Sequence, residues 1–125
     1  MDKRTLFFRI LLGLWLIPLI VLSFYTPPWM ETGIMHHLND KTKHFAGAFI
    51  LGLLVIKSFP SFPLTKALLL WIVCSSVFEA FQGFATQGQR QFDVRDILMN
   101  ISGFGIGILV SGLFLLYRQR LKSRY

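Results

Sequence analysis

Residues 64–84 read LTKALLLWIVCSSVFEAFQGF, a stretch whose one lysine lies near its start and whose one glutamate lies near its end. An α-helix needs about 20 residues to cross the hydrocarbon of a bilayer, at roughly 1.5 Å per residue. Leu64–Phe84 meets that length, and Pro63 suits the first turn of such a helix. Three further segments flank it. Upstream, one runs from about Leu6 to Tyr25 and is stopped by Thr26-Pro27-Pro28, and a second runs from about Asp40 to Phe59, just before Pro60. Downstream, the last runs from about Asp93 to Tyr117. None shows the strict alternation of a membrane β-strand. The expected fold is all-α: one integral membrane domain over residues 1–125, built as a four-helix bundle.

Composition agrees. Hydrophobic residues make up 54% of the 125, with 13 Phe, against only 15% charged residues, and the mean hydropathy is +0.57. Such abundance of apolar surface excludes a disordered chain and is foreign to a soluble domain of this length. A sequence pI near 10.1 does not indicate nucleic-acid binding, because the basic residues sit at the ends of apolar runs. The single cysteine, Cys74, lies inside an apolar segment, so neither a disulfide framework nor a thiolate metal cluster is available. Lys3 and Arg4 ahead of an apolar run resemble a signal peptide, but Phe24-Tyr25-Thr26-Pro27 offers no small-residue cleavage site. The first span is therefore expected to be retained, with Pro18 as a kink point.

Charge sets the orientation. Four spans put Lys3, Arg4, Arg9, Lys57, Lys66, Arg118, Arg120, Lys122 and Arg124 on one side with a single acid, Asp2. The other side has Lys41, Lys43, Arg90 and Arg95 with the remaining five acids, Glu31, Asp40, Glu79, Asp93 and Asp96. The positive-inside rule places both termini and the Lys57–Lys66 turn in the cytoplasm. The formal +7 is thus a topology signal, and the basic tail from Arg118 also suits contact with anionic membrane lipids.

Ionisable groups within spans are costly, so their positions carry information. Asp40 and His44 are four apart and share a helix face, with Lys41 beside them. Glu79 and Gln82 lie one turn apart near the outer end of the third span, and Ser75 and Ser76 continue that face inward. Arg90 lies in the following connection. The fourth span opens with Asp93, Asp96 and Asn100 and continues one stripe through Gly103, Gly107 and Ser111. Under the charge-derived topology all these groups reach one depth on the outer side. The expected site is an outward-facing polar cup lined by Asp40, Lys41, His44, Glu79, Gln82, Arg90, Asp93, Asp96 and Asn100. Gly47, Ala48 and Gly52 on the second span, with Gly103-xxx-Gly107 on the fourth, predict close backbone approach beneath it. The first span, lacking a polar stripe, is expected at the periphery.

The ordered set Asp40-Lys41-x-x-His44-Phe45, Glu79-x-x-Gln82 and Arg90-x-x-Asp93-x-x-Asp96-x-x-x-Asn100-x-x-Gly103 resembles the VanZ-like family of bacterial membrane proteins over roughly residues 40–107. The resemblance implies a small multi-pass protein of the bacterial inner membrane. It also implies a link to the cell envelope, since the founding member is associated with resistance to the glycopeptide teicoplanin and relatives occur near envelope-polysaccharide genes. One departure is Gly47-Ala48-Phe49, where a tyrosine often follows the histidine motif. No settled reaction and no cofactor comes with the family.

Several functions suit these residues. The cluster can be a hydrogen-bonded network that only fixes the helices. It can bind an envelope ligand such as a glycopeptide, a polysaccharide or a cell-wall precursor, with Arg90, Lys41 and His44 holding phosphate or carboxylate. It can be enzymatic, with His44, Glu79, Asp93 and Asp96 as acid–base groups or ligands of a divalent ion. A lone histidine with carboxylates has no diagnostic metal spacing, however, and neither HExxH nor GxSxG occurs, so no metal set is assigned. Transport is disfavoured because the first span lacks the carboxylate that small multidrug exporters use. His36-His37 reads as a solvated loop pair, and Trp15, Trp29 and Trp71 as packing or interface anchors.

Overall fold

The computed structural model describes residues 2–25, 39–85 and 92–123, and among these there are four helices and no strand. We number them α1 (Lys3–Phe24), α2 (Asp40–Ser58), α3 (Leu64–Ala85) and α4 (Val94–Lys122). The helices lie where the apolar runs predict them, and Pro18 lies within α1 without ending it. The largest departure is the end of α4, which continues past Tyr117 through Arg118, Arg120 and Lys122. Basic residues near a helix C-terminus offset its partial negative charge, so the apolar boundary is not the helix boundary.

Three of the helices, α1, α3 and α4, are long and apolar enough to cross a membrane, which marks the chain as a membrane protein. The expectation of four such segments is met only in part: α2 has 19 residues and carries Asp40, Lys41, Lys43 and Lys57. Packing explains its weaker hydropathy. Gly47, Ala48, Leu51, Gly52, Ile56 and Ser58 are all buried, so much of α2 meets protein instead of lipid. The outer helices are the reverse. Leu14, Ile17, Leu69, Val73, Leu109 and Leu113 are all more than half exposed, the pattern of side chains meant for a hydrocarbon solvent.

Helix directions follow from who touches whom. Phe45 lies against Gly103 and Phe49 against Gly107, and the Ser111 hydroxyl donates to the Leu53 carbonyl at 3.3 Å. Each step of four residues along α2 matches a step of four along α4, so the two run parallel. Glycine makes this possible: a Cβ on Gly107 would sit 3.2 Å from the Gly52 Cα and collide with the Phe49 carbonyl. Gly47 belongs to another contact, since a Cβ there would meet Leu19 of α1 at 2.8 Å.

The neighbours run the other way. On α1, Trp15 Nε1 donates to the Gly47 carbonyl at 3.1 Å and Arg9 Nε to the Ser58 carbonyl at 3.1 Å, making α1 antiparallel to α2. On α3, Trp71 Nε1 donates to the Asn100 carbonyl at 3.0 Å and its ring stacks on Phe104, while Glu79, further along α3, meets Asp93 at the start of α4, making α3 antiparallel to α4. The two indoles were expected only to pack or to anchor at an interface. They also satisfy backbone carbonyls of the neighbouring helices, partners that a half-buried indole N–H seeks. Alternating direction gathers the basic ends of all four helices. There the Lys57 ammonium lies 5.1 Å from the Phe8 ring centre and 5.8 Å from that of Phe114, with Arg4 and Arg118 over the same two rings.

Candidate functional site: the polar end

The opposite end holds Asp40, Glu79, Asp93 and Asp96. Because α2 and α4 are parallel, their N-termini lie side by side and each is capped. Asn39 Oδ1 accepts from the Lys41 N–H at 3.2 Å, and Asp93 Oδ1 accepts from the Arg95 N–H at 2.8 Å. Carboxylates are favoured beside such exposed N–H groups, which is where Asp40, Asp93 and Asp96 stand.

Lys41 ties the two helix starts together. Its ammonium lies 2.8 Å from Asp93 Oδ2 and 3.1 Å from Asp96 Oδ1. The Asp93 carboxyl is held below the ordinary carboxylate range, first by the Lys41 ammonium and then by the Arg95 N–H. Asp96 is only 8% exposed, and its second oxygen, Oδ2, lies 3.5 Å from His44 Nε2. The same ring nitrogen lies 3.9 Å from Asp40 Oδ2, one helical turn back on α2. Asp40, Lys41, His44, Asp93 and Asp96 therefore form one linked group.

From α3, Glu79 is 4% exposed and its Oε1 accepts from the Asp93 N–H at 3.3 Å. It thus holds the N-terminus of α4 from the other side, a backbone role that its spacing from Gln82 does not announce. Gln82, also 4% exposed, donates to the Ser23 carbonyl of α1. That bond, with Phe24 against Phe78 and Phe81, brings α1 to the polar end despite its expected peripheral place. Asn100 is half-buried and contributes its backbone carbonyl to Trp71, one turn below Asp96. The Ser75 and Ser76 hydroxyls both turn back to the Ile72 carbonyl of their own helix. Arg90, like His36-His37 and Trp29, lies outside the described residues.

The geometry offers three things to a ligand or reaction: an ammonium held between two carboxylates, an imidazole facing two further carboxylate oxygens, and a buried acid on α3. Hydrogen-bonding and acid–base chemistry are within reach, while Cys74 is exposed on α3 and the Ser75 and Ser76 hydroxyls are taken by the Ile72 carbonyl.

A family model described as VanZ/LLP1 matches residues 6–115. Searches of curated proteins and of solved structures return no match. The matched range takes in almost all of α1, the whole of α2 and α3, and α4 as far as Leu115, with every residue of the polar end inside it. The motif order read from residues 40–107 and a match spanning most of the chain converge: the chain belongs to the VanZ-like family.

Proposed function

We propose that the protein is a four-pass component of the bacterial inner membrane, with both termini in the cytoplasm and the helices closed into a bundle. Its polar end faces outward and binds a ligand of the cell envelope. The ligand class is a glycopeptide such as teicoplanin, or a phosphate- or sugar-bearing wall precursor or polysaccharide. The observation that carries this reading is the meeting of Asp40, Lys41, His44, Glu79, Asp93 and Asp96, from three helices, at the end opposite Arg4, Lys57 and Arg118. Family membership supports the envelope as the setting.

The test is titration of the purified protein in lipid nanodiscs with teicoplanin and, separately, with a lipid-linked peptidoglycan precursor, followed by tryptophan fluorescence. We expect saturable binding of one of them. Asp96→Asn and Arg90→Gln should each weaken it about tenfold, as loss of one charge-assisted contact implies. No saturable response to either compound overturns the reading.

A second reading, in which the cluster only fixes the helices, is favoured by the pairing of Lys41 with two acids at once. It predicts that Asp96→Asn lowers thermal stability while any measured binding keeps its affinity.

A further inference from the structure

His44 stands in an unusual position. Its Nε2 faces two carboxylate oxygens, Asp96 Oδ2 at 3.5 Å and Asp40 Oδ2 at 3.9 Å. Both separations exceed those of a good N–H···O bond, about 2.7–3.2 Å, and one ring nitrogen serves only one partner at a time. Asp40, His44 and Asp96 can nonetheless each offer one ligand atom such that the three lie within 4.8 Å of one another. Atoms each about 2.0–2.2 Å from a shared metal ion are separated by roughly 3–4 Å, which fits both distances from His44.

We infer that Asp40, His44 and Asp96 form a binding site for a divalent first-row metal ion, of the zinc class, at the polar end. Asp96 is the fixed member: it is 8% exposed, and its Oδ1 is already taken by the Lys41 ammonium, which leaves Oδ2 to turn toward His44. Lys41 thereby orients the ligand from behind, the role that outer partners of metal-binding carboxylates have elsewhere. His44 and Asp40 are one turn apart on α2, so a rigid helix presents both. Asp40 is the adjustable member, with its side chain 60% exposed. Two carboxylates offset the charge of the ion. An imidazole with carboxylates suits zinc, manganese or iron better than calcium, whose ligands are all oxygen. Three protein ligands leave coordination positions open, as in sites that hold a further ligand. The site uses the same end of the molecule as the proposed function, yet requires no envelope ligand.

The experiment is metal uptake by the full chain, purified without a polyhistidine tag, stripped with a chelator and titrated calorimetrically with Zn2+. We expect about one ion per chain. His44→Ala and Asp96→Asn should each weaken binding by about 100-fold and Asp40→Asn by about tenfold, while the double variant H36A/H37A leaves affinity unchanged. A wild-type chain that takes up no Zn2+, or a folded His44→Ala variant that binds as tightly, overturns the inference. Should His44→Ala and Asp96→Asn both fail to fold, the H36A/H37A chain loaded with Co2+ decides. Hyperfine-shifted proton resonances from a single imidazole are expected, since His44 is the remaining histidine, and their absence overturns the site. Metal uptake is read without teicoplanin or precursor, so its failure and the failure of the envelope reading are separate results.

Discussion

Lys41 and Asp93 show how a single contact sets a pH response. The Asp93 carboxylate accepts from the Lys41 ammonium and from the Arg95 N–H in the folded chain, and both lower its proton affinity relative to the unfolded chain. A group with a depressed folded pKa stabilises above its unfolded value, and the contribution is lost as pH falls through the folded value. Asp93→Asn keeps an oxygen able to cap α4 but has no charge to lose. At neutral pH this variant should therefore unfold at lower temperature than wild type in the same detergent. The difference should shrink as pH falls below about 4; a gap that stays constant through the acid range refutes the role given to Lys41. At this scale much of the site was legible in the sequence. Asp40 and His44 share a face by spacing alone, and the charge-derived topology puts Lys41, Asp93 and Asp96 toward the same end. What spacing does not encode is choice of partner. Glu79 was read with Gln82, yet in the fold it bonds the Asp93 N–H while Gln82 turns to α1.

At the scale of the element, α2 explains why hydropathy found four segments but only three that satisfy the length and apolarity of a membrane crossing by themselves. A helix enclosed by α1 and α4 is selected for small residues that admit a neighbouring backbone, and large apolar side chains belong on helices that face lipid. The close approach was visible as Gly52 and Gly103-xxx-Gly107. The assignment of Gly47 to α1 was not, because the periodicity of one helix does not say which neighbour takes which face. The parallel α2–α4 contact yields a sharp contrast. Gly107→Val places branched carbons against the Phe49 carbonyl and the Gly52 Cα, an overpacking expected to cost about 1–3 kcal/mol or more. Gly112→Ala, on the same helix with nothing within 4 Å of the added carbon, should leave stability unchanged or slightly raised, since alanine is the better helix former. Thermal unfolding of both variants in one detergent measures the difference. Equal stability for the two would mean that the glycine contact does not hold α2 to α4.

For the whole molecule, the decisive property is that alternating helix directions separate two chemistries by the length of the chain's helices. Lys57, Arg4 and Arg118 gather over Phe8 and Phe114 at one end, while Asp40, Asp93, Asp96 and His44 gather at the other. Strong asymmetry of this kind fixes orientation during insertion, because cationic loops are retained on the cytoplasmic side. Two exposed positions report it: Phe92, just before α4 at the acidic end, and Ser61, in the turn between α2 and α3 at the basic end. In a Cys74→Ser background, Phe92→Cys should react with a membrane-impermeant maleimide on intact cells whose outer membrane, if present, is permeabilised. Ser61→Cys should react only after the membrane that holds the protein is broken. The reverse pattern would turn the polar end toward the cytoplasm. Lys41, His44 and the acids would then meet soluble anions and cytoplasmic metal ions, and an envelope ligand would have no path to them. Orientation thus decides the ligand class before any ligand is tested, because the same side chains can recognise only what reaches their side of the bilayer.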